Sequence, residues 1–153
     1  MRSVLHLNKL IAVSCIIFFI LLNSCHPKIT GLSLASAIAP EVIQIVDGDS
    51  TSGKLVMQDV YGNSADTFQI NPGEHLTWLL GHNQMITRIT NIYQKPTTSQ
   101  NVFSVYPDST GGSSLNWQAT IDSGASGKTE DYNIDWIDKN GLPHTFDPKI
   151  QVR

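Results

Sequence analysis

The chain has 153 residues, of which 41% are hydrophobic and 15% are charged, and its formal net charge is −3 at neutral pH. Its length suits one domain with a single core, and its dispersed lysines offer no clustered basic face for nucleic acid. Because both cysteines, Cys15 and Cys25, lie near the N-terminus, the rest of the chain excludes thiol catalysis, disulfides, iron–sulfur clusters and a cysteine-ligated copper centre.

The first predicted element is a signal helix over residues 1–24. Arg2 and Lys9 precede an uncharged stretch that runs from Leu10 to Leu22. A stretch of about 13 residues suits the hydrophobic region of a signal peptide and falls short of the ~20 residues that span a bilayer. We therefore predict an exported protein without a membrane-spanning helix in this segment.

The sequence Leu22-Asn23-Ser24-Cys25 ends this segment. A small residue before a cysteine at this place resembles the lipobox of bacterial lipoproteins. The resemblance implies cleavage before Cys25, lipid on its sulfur and new amino group, and stable anchoring in the bilayer. Because His26 follows rather than an aspartate, we expect the outer membrane. The alternative is a secreted or periplasmic protein, cleaved at Ala35-Ser36-Ala37.

Residues 25–40 are small and weakly patterned, and we interpret them as a lipidated N-terminus and tether. Residues 41–153 show short segments that alternate in polarity between Gly, Pro, Asn and Asp clusters, the pattern of an all-β fold. We predict a single antiparallel β-sandwich of seven to nine strands, immunoglobulin-like or cupredoxin-like, with Greek-key connections. The predicted strands are Val42–Val46, Lys54–Val60, Asp66–Ile70, His75–Leu80, Ile86–Tyr93, Val102–Tyr106, Ser114–Ile121, Asp131–Ile137 and His144–Val152.

Alternation also predicts which side chains face the core, because successive residues of a strand point to opposite faces. Three isoleucines of the fifth predicted strand break this period of two, so we expect a bulge there. The predicted core faces are Leu76, Trp78 and Leu80; Leu115, Trp117, Ala119 and Ile121; and Tyr132, Ile134 and Trp136, while the period breaks at Ile86, Ile89 and Ile92.

Two features are predicted for the end of the chain. Asp138-Lys139-Asn140-Gly141 suits a tight hairpin, since Asn and Gly tolerate positive φ. Pro148 cannot donate to a strand ladder, so it marks an edge, a bulge or a switch between sheets within the last strand.

A metal site is suggested by one further resemblance. Gly73-Glu74-His75-Leu76-Thr77-Trp78 resembles the strand that follows a Pro-Gly turn in cupredoxin domains. The resemblance implies His82 and Met85 as candidate copper ligands, with His75 or His144 completing the set. Because the blue-copper cysteine is absent, we predict no metal and no cofactor. Copper handling through His82, Met85 and His75 remains the alternative.

Acidic residues form two other groups. The segment Asp47 to Gly53 has some features of a calcium loop, but its carboxylates are too few, so we predict an ordinary turn that includes Asp47-Gly48-Asp49. Four carboxylates lie near the last hairpin, and we interpret them as solvated surface charges, with Lys139 and Lys149 facing them, rather than as a glycosidase pair. These are Glu130, Asp131, Asp135 and Asp138.

No nucleophile motif, P-loop or dinucleotide fingerprint is present, so we predict no catalytic residues and no enzymatic activity. The tryptophans are assigned to the core, whereas Tyr61, Tyr93 and Tyr106 lie near strand ends and are candidates for sugar or peptide contacts. The favoured hypothesis is a membrane-anchored, non-enzymatic binding or structural module of the cell envelope. Its partners would be the bilayer, through acylated Cys25, and an envelope protein or glycan. A carbohydrate-binding module is a further alternative.

Overall fold

Ten β-strands form the described part of the chain. The structure is a computed structural model and describes residues 39–82, 85–96 and 100–153. The predicted signal helix, Cys25 and residues 25–38 of the predicted tether lie outside the described residues. The strands are β1 Glu41–Asp49, β2 Lys54–Gln58, β3 Thr67–Ile70, β4 His75–Leu80, β5 Ile86–Gln94, β6 Phe103–Ser109, β7 Asn116–Ile121, β8 Thr129–Asp138, β9 Pro143–Phe146 and β10 Lys149–Val152, with a 3-10 turn at Thr110–Gly112.

The strands are arranged in two sheets, which confirms the predicted all-β sandwich. The first sheet has the order β2-β1-β4-β7-β6, and the second has the order β3-β10-β8-β5, with β9 also paired to β8. Both sheets are mixed, so the prediction of a purely antiparallel sandwich was wrong for two pairs: β1 and β4 are parallel, as are β10 and β3, and the other pairs are antiparallel. The parallel pair β1–β4 arises because the chain crosses to the second sheet for β3 before it returns beside β1. Within the described residues, no helix has the length and apolar character needed to cross a membrane.

The core lies between the inner faces of the two sheets, as the alternation predicts. Trp78 and Tyr132 meet at its centre with ring centroids 5.7 Å apart and an interplanar angle of 64°. The indole N–H of Trp78 donates a hydrogen bond of 3.0 Å to the hydroxyl of Tyr132. Burial raises the pKa of Tyr132, which keeps this hydroxyl protonated. One prediction was wrong: Leu115 precedes β7 and is 49% exposed.

The bulge expected in β5 is confirmed. The register with β8 shifts between Ile86 and Arg88 and again between Ile89 and Asn91. Each shift inserts an extra residue, so the three isoleucines at a spacing of three all turn to the core, where Ile92 joins the other two.

The last predicted strand, His144–Val152, is interrupted at Pro148, as expected for a residue that cannot donate to the ladder. β9 and β10 both pair with β8, and Asp147 and Pro148 lie between them. This interruption raises the number of strands from the nine predicted segments to ten. The hairpin before β9 is also present, but its loop has four residues, and only Gly141 has a positive φ, of 82°.

The two ends of the sandwich carry different loops. β1 and β2 are antiparallel with Gln44 opposite Gln58, and β1 and β4 are parallel with Glu41 opposite Leu76. The start of β1, the loop after β2 and the turn before β4 therefore share one end, which we call the entry end. The turn between β1 and β2 and the loop between β8 and β9 lie at the opposite end, the hairpin end.

Candidate functional site

A trough with a volume of about 410 Å³ lies on the outer face of the first sheet. Its floor comes from β4 and β7, where alternation turns His75 and Thr77 outward opposite Thr120 and Gln118. The His75 Nδ1 atom lies 3.0 Å from the Thr120 hydroxyl, a hydrogen bond that holds the imidazole ring across the two strands. The trough thus has a fixed polar floor.

Two apolar residues flank this floor. Pro40, which directly precedes β1, and Val105 of the edge strand β6 both line the trough. Val105 is 57% exposed. By contrast, Thr77 is buried although it faces outward, because Val42 and Gln118 flank it on the neighbouring strands. Apolar residues beside a few hydrogen-bonding groups are typical of ligand-binding concavities.

A second, more polar groove of about 380 Å³ lies on the second sheet, on β5, β8 and β9. Asp135 is its charged residue, and the Thr145 hydroxyl donates to the Asp135 Oδ1 atom at 2.7 Å. The Thr90 hydroxyl donates to the Asp135 carbonyl oxygen at 3.1 Å. Tyr93, Trp136, Pro143 and His144 also line the groove. A carboxylate, two hydroxyls and an aromatic ring are groups that can bind the hydroxyls and the apolar face of a sugar.

Two of the four carboxylates predicted to be solvated are in fact buried, so that prediction was wrong for Glu130 and Asp138. The Glu130 Oε2 atom accepts the backbone N–H of Val102 at 3.2 Å, which ties the chain before β6 to β8. Asp131 follows the prediction and pairs with Lys149 at 3.2 Å. Glu130 and Asp131 therefore both stabilise local structure around β8.

Asp138 organises the hairpin end. Burial raises the pKa of this carboxyl, but hydrogen bonds from the Leu142 N–H, the His144 ring and the Asn140 N–H outweigh it, so the pKa lies below its ordinary value. The His144 Nε2 atom is 3.3 Å from the Asp138 Oδ2 atom. The imidazole also stacks on Trp136 with ring centroids 4.4 Å apart. These two contacts hold the His144 ring at the hairpin end.

The candidate copper ligands do not gather at one place. His82 is exposed just after β4, and Met85 precedes β5, where its carbonyl oxygen accepts the Lys139 N–H at 3.0 Å. His75 begins β4, and a strand rises about 3.3 Å per residue, so roughly 20 Å separates it from His82. Across residues 39–82, 85–96 and 100–153, no group of three His, Cys, Asp or Glu side chains is arranged to hold a metal ion.

The calcium-like segment, residues 47–53, forms the end of β1 and the turn that leads to β2. Asp49 accepts hydrogen bonds from the Ser52 hydroxyl at 2.6 Å and the Thr51 N–H at 2.8 Å, and these lower its pKa. The prediction that Asp47-Gly48-Asp49 is a turn was wrong, because these residues belong to β1. Gly48 is needed there for packing: a Cβ atom at this position would lie 2.9 Å from both Ile86 and Trp136.

The aromatic residues divide as predicted between core and surface. All three tryptophans are buried, whereas Tyr61 is 87% exposed in the loop after β2 and Tyr106 is 50% exposed on β6. The ring centroids of Tyr106 and Phe103 are 6.0 Å apart. Within the described residues, no ring contact joins any two of Tyr61, Tyr93 and Tyr106.

No protein-family model and no curated protein matches this chain. Sequence reasoning identified the polar faces that form the trough floor, but it missed the trough, because Pro40 and Val105 flank that floor only after the sheet has formed.

Proposed function

We propose that this protein is a lipoprotein of the bacterial cell envelope, anchored through Cys25, and that its sandwich is a non-enzymatic module that binds an envelope protein at the trough. The observation that carries the proposal is the trough itself, a concavity of about 410 Å³ built on paired strands. Because the His75 ring is already held by Thr120, this side chain needs little further ordering when a partner binds.

The lining of the trough supports a protein partner. Pro40 and Val105 offer apolar contact, while His75 and Gln118 offer hydrogen-bonding groups at its floor. Interfaces commonly combine an apolar contact with a few oriented polar groups. Pro40 is the last residue of the predicted tether, so an anchored chain would hold the trough close to other envelope components, at a high effective concentration.

The strand order supports the cupredoxin-like alternative of the two predicted topologies. In an immunoglobulin-type sandwich the first strand lies at the edge of its sheet. Here β1 lies inside the first sheet, between β2 and β4. We infer a cupredoxin-like scaffold that is used for binding rather than for copper.

Crosslinking in intact envelopes followed by purification tests the proposal, with four forms of the protein. The wild type is expected to capture a defined partner, and Val105→Asp to lose it. Val56→Asp is the matched control, because Val56 is also exposed in the first sheet but lies outside the trough. Cys25→Ala should release the protein from membranes. Capture that is equal in the two valine variants, or turnover of a substrate, would overturn the proposal.

A second candidate function is glycan binding at the groove of the second sheet. Asp135 with its hydroxyl neighbours, and Tyr93 beside them, favour it. Titration with peptidoglycan fragments should then show binding that Asp135→Asn and Tyr93→Ala abolish and that Val105→Asp leaves unchanged. Absence of binding to the wild type would reject this candidate.

A further inference from the structure

The loop between β2 and β3 exposes two apolar side chains at its tip. Tyr61 is 87% exposed and Val60 is 54% exposed. A Cβ atom built on the adjacent Gly62 would meet no heavy atom within 4 Å, so the tip stands in open space rather than beside a wall. We call residues 59–63 the tip loop.

The tip loop is held in one conformation by Asp59. The Asp59 Oδ1 atom accepts the N–H groups of Tyr61 at 2.8 Å and Asn63 at 2.9 Å, and its Oδ2 atom accepts the Asn63 side-chain amide at 2.8 Å. The hydrogen bond from Asn63, together with these backbone bonds, lowers the pKa of Asp59, so the carboxylate stays ionised. Gly62 supplies the positive φ, 85°, that the turn requires. Two apolar side chains are therefore displayed on a preorganised backbone.

The topology places the tip loop at the entry end. Gln58, the last residue of β2, lies opposite Gln44 of the antiparallel β1, so the chain that follows β2 continues past the start of β1. Pro40 directly precedes that start. The tip loop and the point at which the predicted tether enters the domain are therefore at the same end of the sandwich.

We propose that Val60 and Tyr61 insert into the interfacial layer of the bilayer in which Cys25 is anchored, as a second contact that orients the domain; this inference rests on the proposed lipid anchor. Tyrosine suits that layer because its ring is apolar and its hydroxyl stays hydrated. Two side chains alone bind a bilayer weakly, but a lipid anchor on the same chain raises their effective concentration. The open surroundings of the tip fit a fluid interface better than a shaped protein pocket.

Fluorescence quenching tests this contact in the full processed lipoprotein. The protein is reconstituted into vesicles of phosphatidylethanolamine and phosphatidylglycerol with brominated acyl chains, which quench only nearby tryptophans. Tyr61→Trp adds a probe to the tip loop, and Leu142→Trp is the matched control, since Leu142 is 56% exposed at the hairpin end. The native tryptophans are buried and common to both variants.

The expected result is that brominated lipids quench the added emission of Tyr61→Trp at least about twofold and shift it to shorter wavelength, while the emission of Leu142→Trp is unaffected. Equal quenching of both variants, or of neither, would overturn the inference. Crosslinking of position 61 to a protein instead of lipid would also overturn it. The intact mass of the same preparation separates the two proposals: without acyl groups on Cys25 both fail, whereas an acylated protein without quenching refutes only the tip contact.

Discussion

Substituting Gly48 by alanine should destabilise the sandwich, although alanine is usually the better residue within a strand. The added Cβ atom would lie 2.9 Å from the Cγ1 atom of Ile86 and 2.9 Å from the Cη2 atom of Trp136, and a further ring atom is at 3.1 Å. Real Cβ atoms do not approach other atoms so closely, so the indole or the strand must move.

The magnitude follows from two opposing effects. Overpacking of a well-filled core costs about 1–3 kcal/mol. Replacing glycine by alanine in a strand recovers roughly 0.5–1 kcal/mol of unfolded-state entropy. The net loss of unfolding free energy should therefore be about 0.5–2 kcal/mol. The Trp136 indole cannot easily move away from the added methyl group, because its N–H donates a hydrogen bond of 3.2 Å to the Gly53 carbonyl oxygen.

Urea unfolding monitored by far-ultraviolet circular dichroism measures this loss, with an unchanged m-value as the sign that only stability has altered. A double-mutant cycle with Trp136→Phe gives the control, because the smaller ring removes one of the two contacts. The cost of Gly48→Ala should fall in that background. Wild-type stability of Gly48→Ala, or an equal cost in both backgrounds, would refute the packing argument.

Three further results are expected. Tyr132→Phe leaves the buried Trp78 N–H without its acceptor and should lower the unfolding free energy by about 1–3 kcal/mol, measured in the same urea titration; an unchanged midpoint would contradict the central hydrogen bond. Because the pKa of Asp138 is lowered from 3.8, its ionised form stabilises the fold above that pH, and the contribution is lost as the pH falls through the folded pKa. Asp138→Asn should thus be less stable than wild type at pH 7, with a gap that closes below pH 3.8 in thermal melts, and a pH-independent gap would argue against this role. Titration with Cu(I) and Cu(II) should give no affinity tighter than about micromolar, and a tighter site would restore the copper alternative.

Local alternation is the reason that most strands could be predicted. The faces of β4 and β8 follow a period of two, so Trp78 and Trp136 could be assigned to the core without knowledge of any partner strand. The bulge in β5 was also predictable, since its isoleucines break that period at regular intervals.

Features that depend on distant partners could not be predicted. Gly48 lies between two aspartates, a composition typical of a turn. A glycine is needed at this place in β1 because Ile86 and Trp136, which are remote in sequence, pack against it. Glu130 and Asp138 lie on the same inward face of β8 as Trp136, so the period of two indicates their burial. What the period cannot show is the partner that makes this burial tolerable, such as the Val102 N–H that donates to Glu130. The parallel pairing of β1 with β4 likewise depends on the route of the chain between the two sheets.

The candidate sites also combine features that local alternation predicts with features that depend on distant segments. Alternation predicts that His75, Thr77 and Gln118 face outward, but Pro40 and Val105 flank them only because β1 and β6 occupy their places in the first sheet. Tyr61 was a candidate for surface contacts on composition alone. Its preorganisation by Asp59 and its place at the entry end became apparent only from the fold.

Attachment to the membrane through Cys25 is the central claim, because the placement of the trough in the envelope and the contact of the tip loop both depend on it. Mass spectrometry of the mature N-terminal peptide tests it most directly. The expected result is a peptide that begins at Cys25 and carries acyl chains on the sulfur and on the amino group. A mature chain that begins after Ala37, or an unmodified Cys25 within an uncleaved chain, would contradict it.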